Sequence, residues 1–209
     1  MEIEAKLLDL RFGIVDLERK GYTQIFRVPM ENLSAPSQKL VKDWQIAQAV
    51  KNLRFGFAER TIERDNGSSE SRSWETRQEG LSIRVANESS VAIKGITVKF
   101  LVLYRDENIG DMDRRNLPLR EFKGDLRFPE IPAGDTVRLE TAAIPLRKEW
   151  MNPNWSYATG EQSAEDEIEG VVVEFYHEGK LIHEEASPSK LLEDYSATGK
   201  RSESKSAKI

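Results

Sequence analysis

From Ile96 the chain places Ile96, Val98, Phe100, Val102 and Tyr104 at every second position, with Thr97 and Lys99 between the first three. Side chains two apart point to one side of an extended strand, so this run has one buried face. Leu101 and Leu103 add apolar groups on the opposite side, which predicts a central strand covered on both faces. Upstream, Leu81, Ile83 and Val85 alternate with Ser82, Arg84 and Ala86, and Asn87-Glu88-Ser89-Ser90 is rich in turn formers. The two runs read as the arms of a hairpin.

The same period predicts strands over 3–14, 22–30, 53–62, 69–77, 119–128 and 135–144, and a closing hairpin over 171–186. Glu178-Gly179 is the expected turn of that hairpin, with Phe175 facing Ile182. The polar stretch 63–68, ERDNGS, reads as a hairpin tip. Helix is scarce. Over 39–50, Leu40, Trp44 and Ala47 share a helical face, but Ile46 falls off it, so a strand around Trp44 competes. A short helix is expected over 188–195, with Ser187 as its cap, and a disordered polar tail from Ser196.

Three near-copies of one tetrapeptide occur: Asp9-Leu10-Arg11-Phe12, Asn52-Leu53-Arg54-Phe55 and Asp125-Leu126-Arg127-Phe128. Their spacing is irregular, which excludes a solenoid repeat. Leu and Phe two apart predict three strands, each laying both side chains into a common core with Arg11, Arg54 and Arg127 outward.

About ten short strands with frequent turn signals predict a mainly β fold, an antiparallel β-sandwich with extra N-terminal strands and one or two short helices. The expected organisation is a single sandwich over 1–186, with its core in 70–186 and additional strands and a helix in 1–69. A short helix and disordered tail follow over 187–209. The 209 residues carry 31 basic and 36 acidic side chains, a net charge of −5, which argues against nucleic acid as a partner. Cysteine is absent, which removes disulfides and thiolate chemistry. No run approaches the length of a membrane helix. The start, MEIEAKLLDL, lacks the basic and apolar parts of a signal peptide and reads as a trimmed chain or as a cytosolic start.

The segments VANESSVAIKGITVKFLVLY and IPAGDTVRLET resemble the paired strands of immunoglobulin-like and fibronectin-III-like modules on bacterial cell surfaces. The shared feature is the turn Pro132-Ala133-Gly134-Asp135-Thr136 before a strand, and VVVEFYHEGKLIHEE resembles the closing strands of such modules. The whole chain also resembles the soluble immunoglobulin-like domains of archaeal type IV pilin-like proteins and a pilus-associated surface protein of a gut mucin-degrading bacterium. That resemblance implies a non-enzymatic envelope protein used for structure or adhesion. Its partners would be other envelope or pilus proteins, or further copies joined through strand edges. Its location would be extracellular or in the cell envelope once a leader is removed.

Few constellations suggest chemistry. Trp150, Trp155 and Tyr157 sit together in EWMNPNWSYATGE and could stack on a glycan, which makes a carbohydrate-binding accessory module the alternative. The plainer reading is that these rings plug the open end of the sandwich. Asp106, Glu107, Asp111 and Asp113 crowd one loop but lack calcium-loop order. His177 and His183 lack the converging ligands a zinc site needs. The acidic run 161–170 reads as a mobile connection. No nucleophile elbow, phosphate loop or metalloprotease motif occurs, so catalysis and cofactors are not expected, although paired carboxylates leave no sequence signature.

Overall fold

The computed structural model describes residues 4–22, 24–111, 117–158 and 161–201. The chain opens with β1 (Ala5–Arg11), β2 (Ile14–Arg19) and β3 (Ile25–Pro29), then the helix α1 (Ala35–Lys51). The strands β4 (Leu53–Ser68), β5 (Arg72–Asn87), β6 (Ile96–Arg105), β7 (Arg120–Arg127), β8 (Thr136–Glu140) and β9 (Ile144–Met151) follow. The chain continues with β10 (Ser163–Glu165), β11 (Glu167–His177) and β12 (Lys180–Ser187), and ends in α2 (Leu191–Asp194), β13 (Tyr195–Ser196) and β14 (Gly199–Lys200). No helix among the described residues is long and apolar enough to cross a membrane.

All strand pairs are antiparallel, and the fold is mainly β, as expected. One sheet runs β10-β9-β5-β4, with β8 paired to the second half of β5, and the other runs β12-β11-β6-β7. Their facing sides share one core: Leu81, Ile83 and Val85 from β5 meet Val98, Phe100, Val171, Val173 and Phe175 from β6 and β11. Each such side chain, fully buried, contributes about 1.5–3 kcal/mol. On the far side of β6 and β11, Leu101, Leu103 and Val172 form a second cluster under Leu191, Leu192 and Tyr195. The prediction that β6 is covered on both faces therefore holds, and the C-terminal segment supplies the cover.

Several expectations need correction. The runs 81–87 and 96–105 are not one hairpin, because β5 and β6 lie in opposite sheets. Alternation identifies a strand but not its partner. Asn87 holds this crossing: its Nδ2 lies 2.7 Å, 3.1 Å and 3.0 Å from the carbonyls of Val91, Ile131 and Pro132. Residues 63–68 are strand, since β4 continues to Ser68 and pairs with β5 throughout. The strand expected over 135–144 is β8, which ends at Glu140, and a further strand, β9, follows from Ile144 to Met151 where none was expected. In the closing hairpin His177 faces Lys180, but a bulge places Phe175 opposite His183 and not Ile182. That shift lets the His183 ring stack on Phe55 at 4.9 Å and join the two sheets along one edge.

Residues 35–51 are helical, started by Ser34, whose hydroxyl accepts from the Ser37 amide, with Pro36 in the first turn. Its buried side carries Val41 and Ala49, while Leu40 is 70% exposed, because the face is rotated from the one Leu40 and Ala47 mark. The tail is ordered to Arg201. β13 and β14 form a small hairpin with Ala197 buried, and 202–209 lie outside the described residues.

Of the three tetrapeptides, two behave as expected. Leu53 and Phe128 are buried, and Phe55 and Leu126 pack on the core. The first does not. Among the described residues, strands β1, β2 and β3 pair only with one another, and Phe12 sits in the two-residue turn between β1 and β2, fully exposed. Phe12 and Gly13 have φ of 51° and 76°, both left-handed. Such a hairpin turn favours Asn-Gly or Asp-Gly, and holding a bulky residue in this region costs about 1–3 kcal/mol. Among the described residues twelve large apolar side chains stand exposed. Seven of them lie between Phe12 and Ile46, about a sixth of the chain.

Candidate functional site

The inward positions of β4 read Leu53, Phe55, Phe57, Glu59 and Thr61. Those of β5 opposite them read Val85, Ile83, Leu81 and Glu79. The apolar rows thus turn polar towards one end of the sandwich. There Glu59, Thr61, Arg77 and Glu79 line a cleft of about 430 Å³ with Leu146 and residues 165–168. Glu79 is only 9% exposed and accepts a 2.7 Å hydrogen bond from the Thr61 hydroxyl. Burial and then the Glu79 charge push the Glu59 carboxyl above its usual range. Arg77 Nη2 donates to Glu165 at 3.1 Å, and its Nε is buried without a partner.

Asp166 closes the floor. It is buried, and its oxygens accept from the amides of Glu107 at 2.8 Å and Arg147 at 2.7 Å. Burial raises its pKa, those two amides and Arg120 work against the rise, and Asp106 adds to it. The acidic loop is thereby tied to β9. Asp106 also pairs with Arg120 at 2.7 Å, and Asp111 accepts from the Asn108 amide at 2.8 Å. Asp113 lies outside the described residues. No group of three or more His, Asp or Glu is placed to hold a metal ion among the described residues. The run 161–170 is not a loose connection, since β10 pairs with β9 and β11 begins at Glu167.

A parity reading of β4 and β5 would have found this cleft. Polar residues at inward positions mark where the two sheets stop covering one another. Composition alone, with 36 acidic residues, could not.

The three aromatic residues singled out in the sequence lie beside that end. Trp150 is not in the loop but near the end of β9, opposite Ser73 and Ser163. Trp155 and Tyr157 follow in the connection to β10. Asn152 fixes its start: its Nδ2 donates to the carbonyls of Ser69 and Glu70, and its Oδ1 accepts from Ser73 at 2.6 Å. Tyr157 packs so closely on Gly110 that a Cβ there would lie 2.5 Å from its ring, and Arg72 sits 5.7 Å from the ring centroid. Beneath them Glu149 is buried, accepting from the Ile109 amide at 3.1 Å and pairing with Arg147 at 3.2 Å. The rings do not plug the sandwich: Trp150, Trp155 and Tyr157 are 38%, 49% and 37% exposed. Tyr157 is the anchored one, and the two tryptophans present free faces.

No known protein family matches the chain, and no curated protein matches it. Three solved structures are similar to parts of it. One is the structural genomics target SoR45, with 14% identity and a TM-score of 0.30 over 64% of this chain and 84% of that one. Another is a protein from Akkermansia muciniphila, with 10% identity and a TM-score of 0.28 over 69% and 78%. The third is the Salmonella enterica trimeric lipoprotein SadB, with 11% identity and a TM-score of 0.20 over 65% and 72%. The architecture described above rests on its own strand pairing and not on these overlaps.

Proposed function

We propose that this chain is a non-enzymatic structural or adhesion protein of the cell envelope, pilus-associated, built on an immunoglobulin-like sandwich and acting through contacts with other proteins. The observation that carries this reading is the uneven distribution of free apolar surface. Seven exposed large side chains cluster in the first 51 residues, whose three strands pair with neither sandwich sheet. Concentrated exposed apolar surface of this kind marks an interaction site. Cell fractionation with cross-linking in intact source cells tests the reading. Recovery in the envelope fraction, cross-linked to other proteins, supports it. A free cytosolic monomer defeats it.

A second reading is a carbohydrate-binding accessory module. The exposed faces of Trp150 and Trp155 beside Tyr157 favour it, because flat aromatic surfaces suit sugar rings. Glycan-array binding that Trp155→Ala abolishes, with melting temperature unchanged, is its expected result.

A further inference from the structure

We infer that Arg84 and Arg138 form a binding site for a doubly charged oxyanion, a phosphate or sulfate group, on the outer face of the β4, β5 and β8 strands. The inference goes beyond the envelope reading and does not depend on it. The starting point is a like-charge pair. In the β5–β8 ladder Arg84 stands directly opposite Arg138. Opposed residues of an antiparallel pair have Cβ atoms about 5 Å apart, and like charges there destabilise the pairing. The neighbouring arginines on this face are compensated: Arg54 pairs with Glu88 at 3.3 Å, and Arg60 pairs with Glu140. Among the described residues Arg84 and Arg138 have no ion-pair partner. A solvated arginine gains nothing from a second one set against it, whereas an anion held between the two turns the repulsion into attraction.

The surroundings make the pair a site. With Arg60 and Glu140 the two arginines line a hollow of about 380 Å³. Its floor is made of small residues, Ala58 and Ser82, which are opposed in the next row of the sheet. Gly56, opposite Arg84 on β4, lets that side chain lie against the sheet, since a Cβ there would be 3.0 Å from its Nε. Gly56 has no positive φ, so backbone freedom does not account for it. Arg84 thus leans towards β4 and away from Arg138, which leaves room for an anion between them. Each guanidinium presents its N–H donors as a planar fork that fits an oxyanion, and two forks carry the charge that matches a dianion. Two carboxyls also border the hollow. Glu140 is held by Arg60, and Glu59 belongs to the inward row that lines the cleft on the other face.

The test is calorimetry on the full chain at about pH 8, where phosphate is mostly the dianion. The probes are sodium phosphate, sodium sulfate, sodium acetate and glucose 6-phosphate, with ionic strength held constant by chloride. Phosphate and sulfate are expected to bind with Kd of about 1 mM, and acetate about tenfold more weakly. Arg84→Gln and Arg138→Gln each weaken phosphate binding about tenfold, and Arg84→Lys, which keeps the charge but loses the fork, weakens it severalfold. Arg54→Gln leaves it unchanged. In phosphate-free buffer both Gln variants melt at or above the wild-type temperature, because the opposed charges are relieved, so their lost binding is not unfolding. Phosphate raises the melting temperature of the wild type and not of these variants. Glucose 6-phosphate bound more tightly than inorganic phosphate supports a site for a phosphate carried on a larger molecule, and bound no more tightly it supports a site for the free ion. Absence of phosphate and sulfate binding at about 10 mM overturns the inference. So does binding that Arg54→Gln weakens as much as Arg84→Gln, because that is diffuse attraction and not a site. Acetate bound as tightly as phosphate overturns the assignment to a dianion.

Discussion

The Thr61 hydroxyl donates a 2.7 Å hydrogen bond to Glu79 Oε1 across the β4–β5 pair, at the point where the core gives way to the polar cleft. Removing the donor leaves a carboxylate with little access to water. Thr61→Val is expected to cost about 1–3 kcal/mol in urea unfolding, while Thr61→Ser, which keeps the hydroxyl, costs less than half of that. Equal losses in the two variants would show that the methyl group matters and not the bond.

Glu59 yields a pH-dependent prediction. Its carboxyl holds a proton more tightly in the folded chain than in the unfolded one, from burial first and Glu79 second. Its contribution to stability is therefore present below the unfolded value of about 4.3 and is lost as pH rises through the elevated folded value. Glu59→Gln should raise the melting temperature at pH 7, with the gain vanishing at pH 4. The side chain keeps contact with solvent, so the gain is small. A gain of the same size at both pH values would separate it from titration.

Asn87 should be among the most sensitive polar positions. Its amide serves three carbonyls of the loops that carry the chain from one sheet to the other, and its Oδ1 accepts from the Ser89 amide at 3.1 Å and hydroxyl at 2.6 Å. Asn87→Ala leaves several buried groups unpaired and is expected to destabilise by about 2–4 kcal/mol in denaturant titration. Glu88, exposed beside it, should tolerate alanine within about 0.5 kcal/mol.

Gly110 is a second position where size and backbone both matter. Its φ of +102° disfavours any side chain, and the Tyr157 ring occupies the space a Cβ needs. Gly110→Ala should free Tyr157 and raise amide hydrogen exchange over residues 153–158, leaving exchange in β6 and β11 unchanged.

Tyr176 Oη donates to the buried Glu174 at 2.5 Å, and its pKa is pushed up to about 12, by burial first and then by Glu174. The folded chain thus keeps the phenol protonated where the unfolded chain begins to lose it. Stability from this pair is complete below about pH 10 and disappears as pH rises towards 12. Tyr176→Phe should flatten that alkaline loss while costing about 1–3 kcal/mol at pH 7, because Glu174 loses its donor.

The fold class was legible because alternation is imposed by the pleat itself, whatever the partner strand. Ile96 to Tyr104 announced a central strand, and Leu101 and Leu103 announced the second cover. Partnership was not legible. Residues 81–87 and 96–105 carry the same pattern whether they pair or face each other across a core. Register failed at Ile182 for a related reason, since a bulge obeys the tertiary fit of His183 on Phe55 and leaves no local mark. The aromatic residues were found because their type is rare. The carboxylate cleft was missed because its members are common residues, and only their parity on two paired strands sets them apart. Phe12 shows the limit most directly. Its tetrapeptide matches two that feed the core, yet Gly13 after it turns the chain before the ring can reach one.

The central position of β11 has a consequence for how the chain is made. It sits between β6 and β12, so β6 has a permanent neighbour on only one side until residues 167–177 emerge from the ribosome. Until then a nascent chain carries a strand that is oily on both surfaces and open along one edge, the kind of species that aggregates. Pairing of β11 with β6 closes that edge, so a chain truncated before Glu167 is expected to aggregate where the full sheet does not.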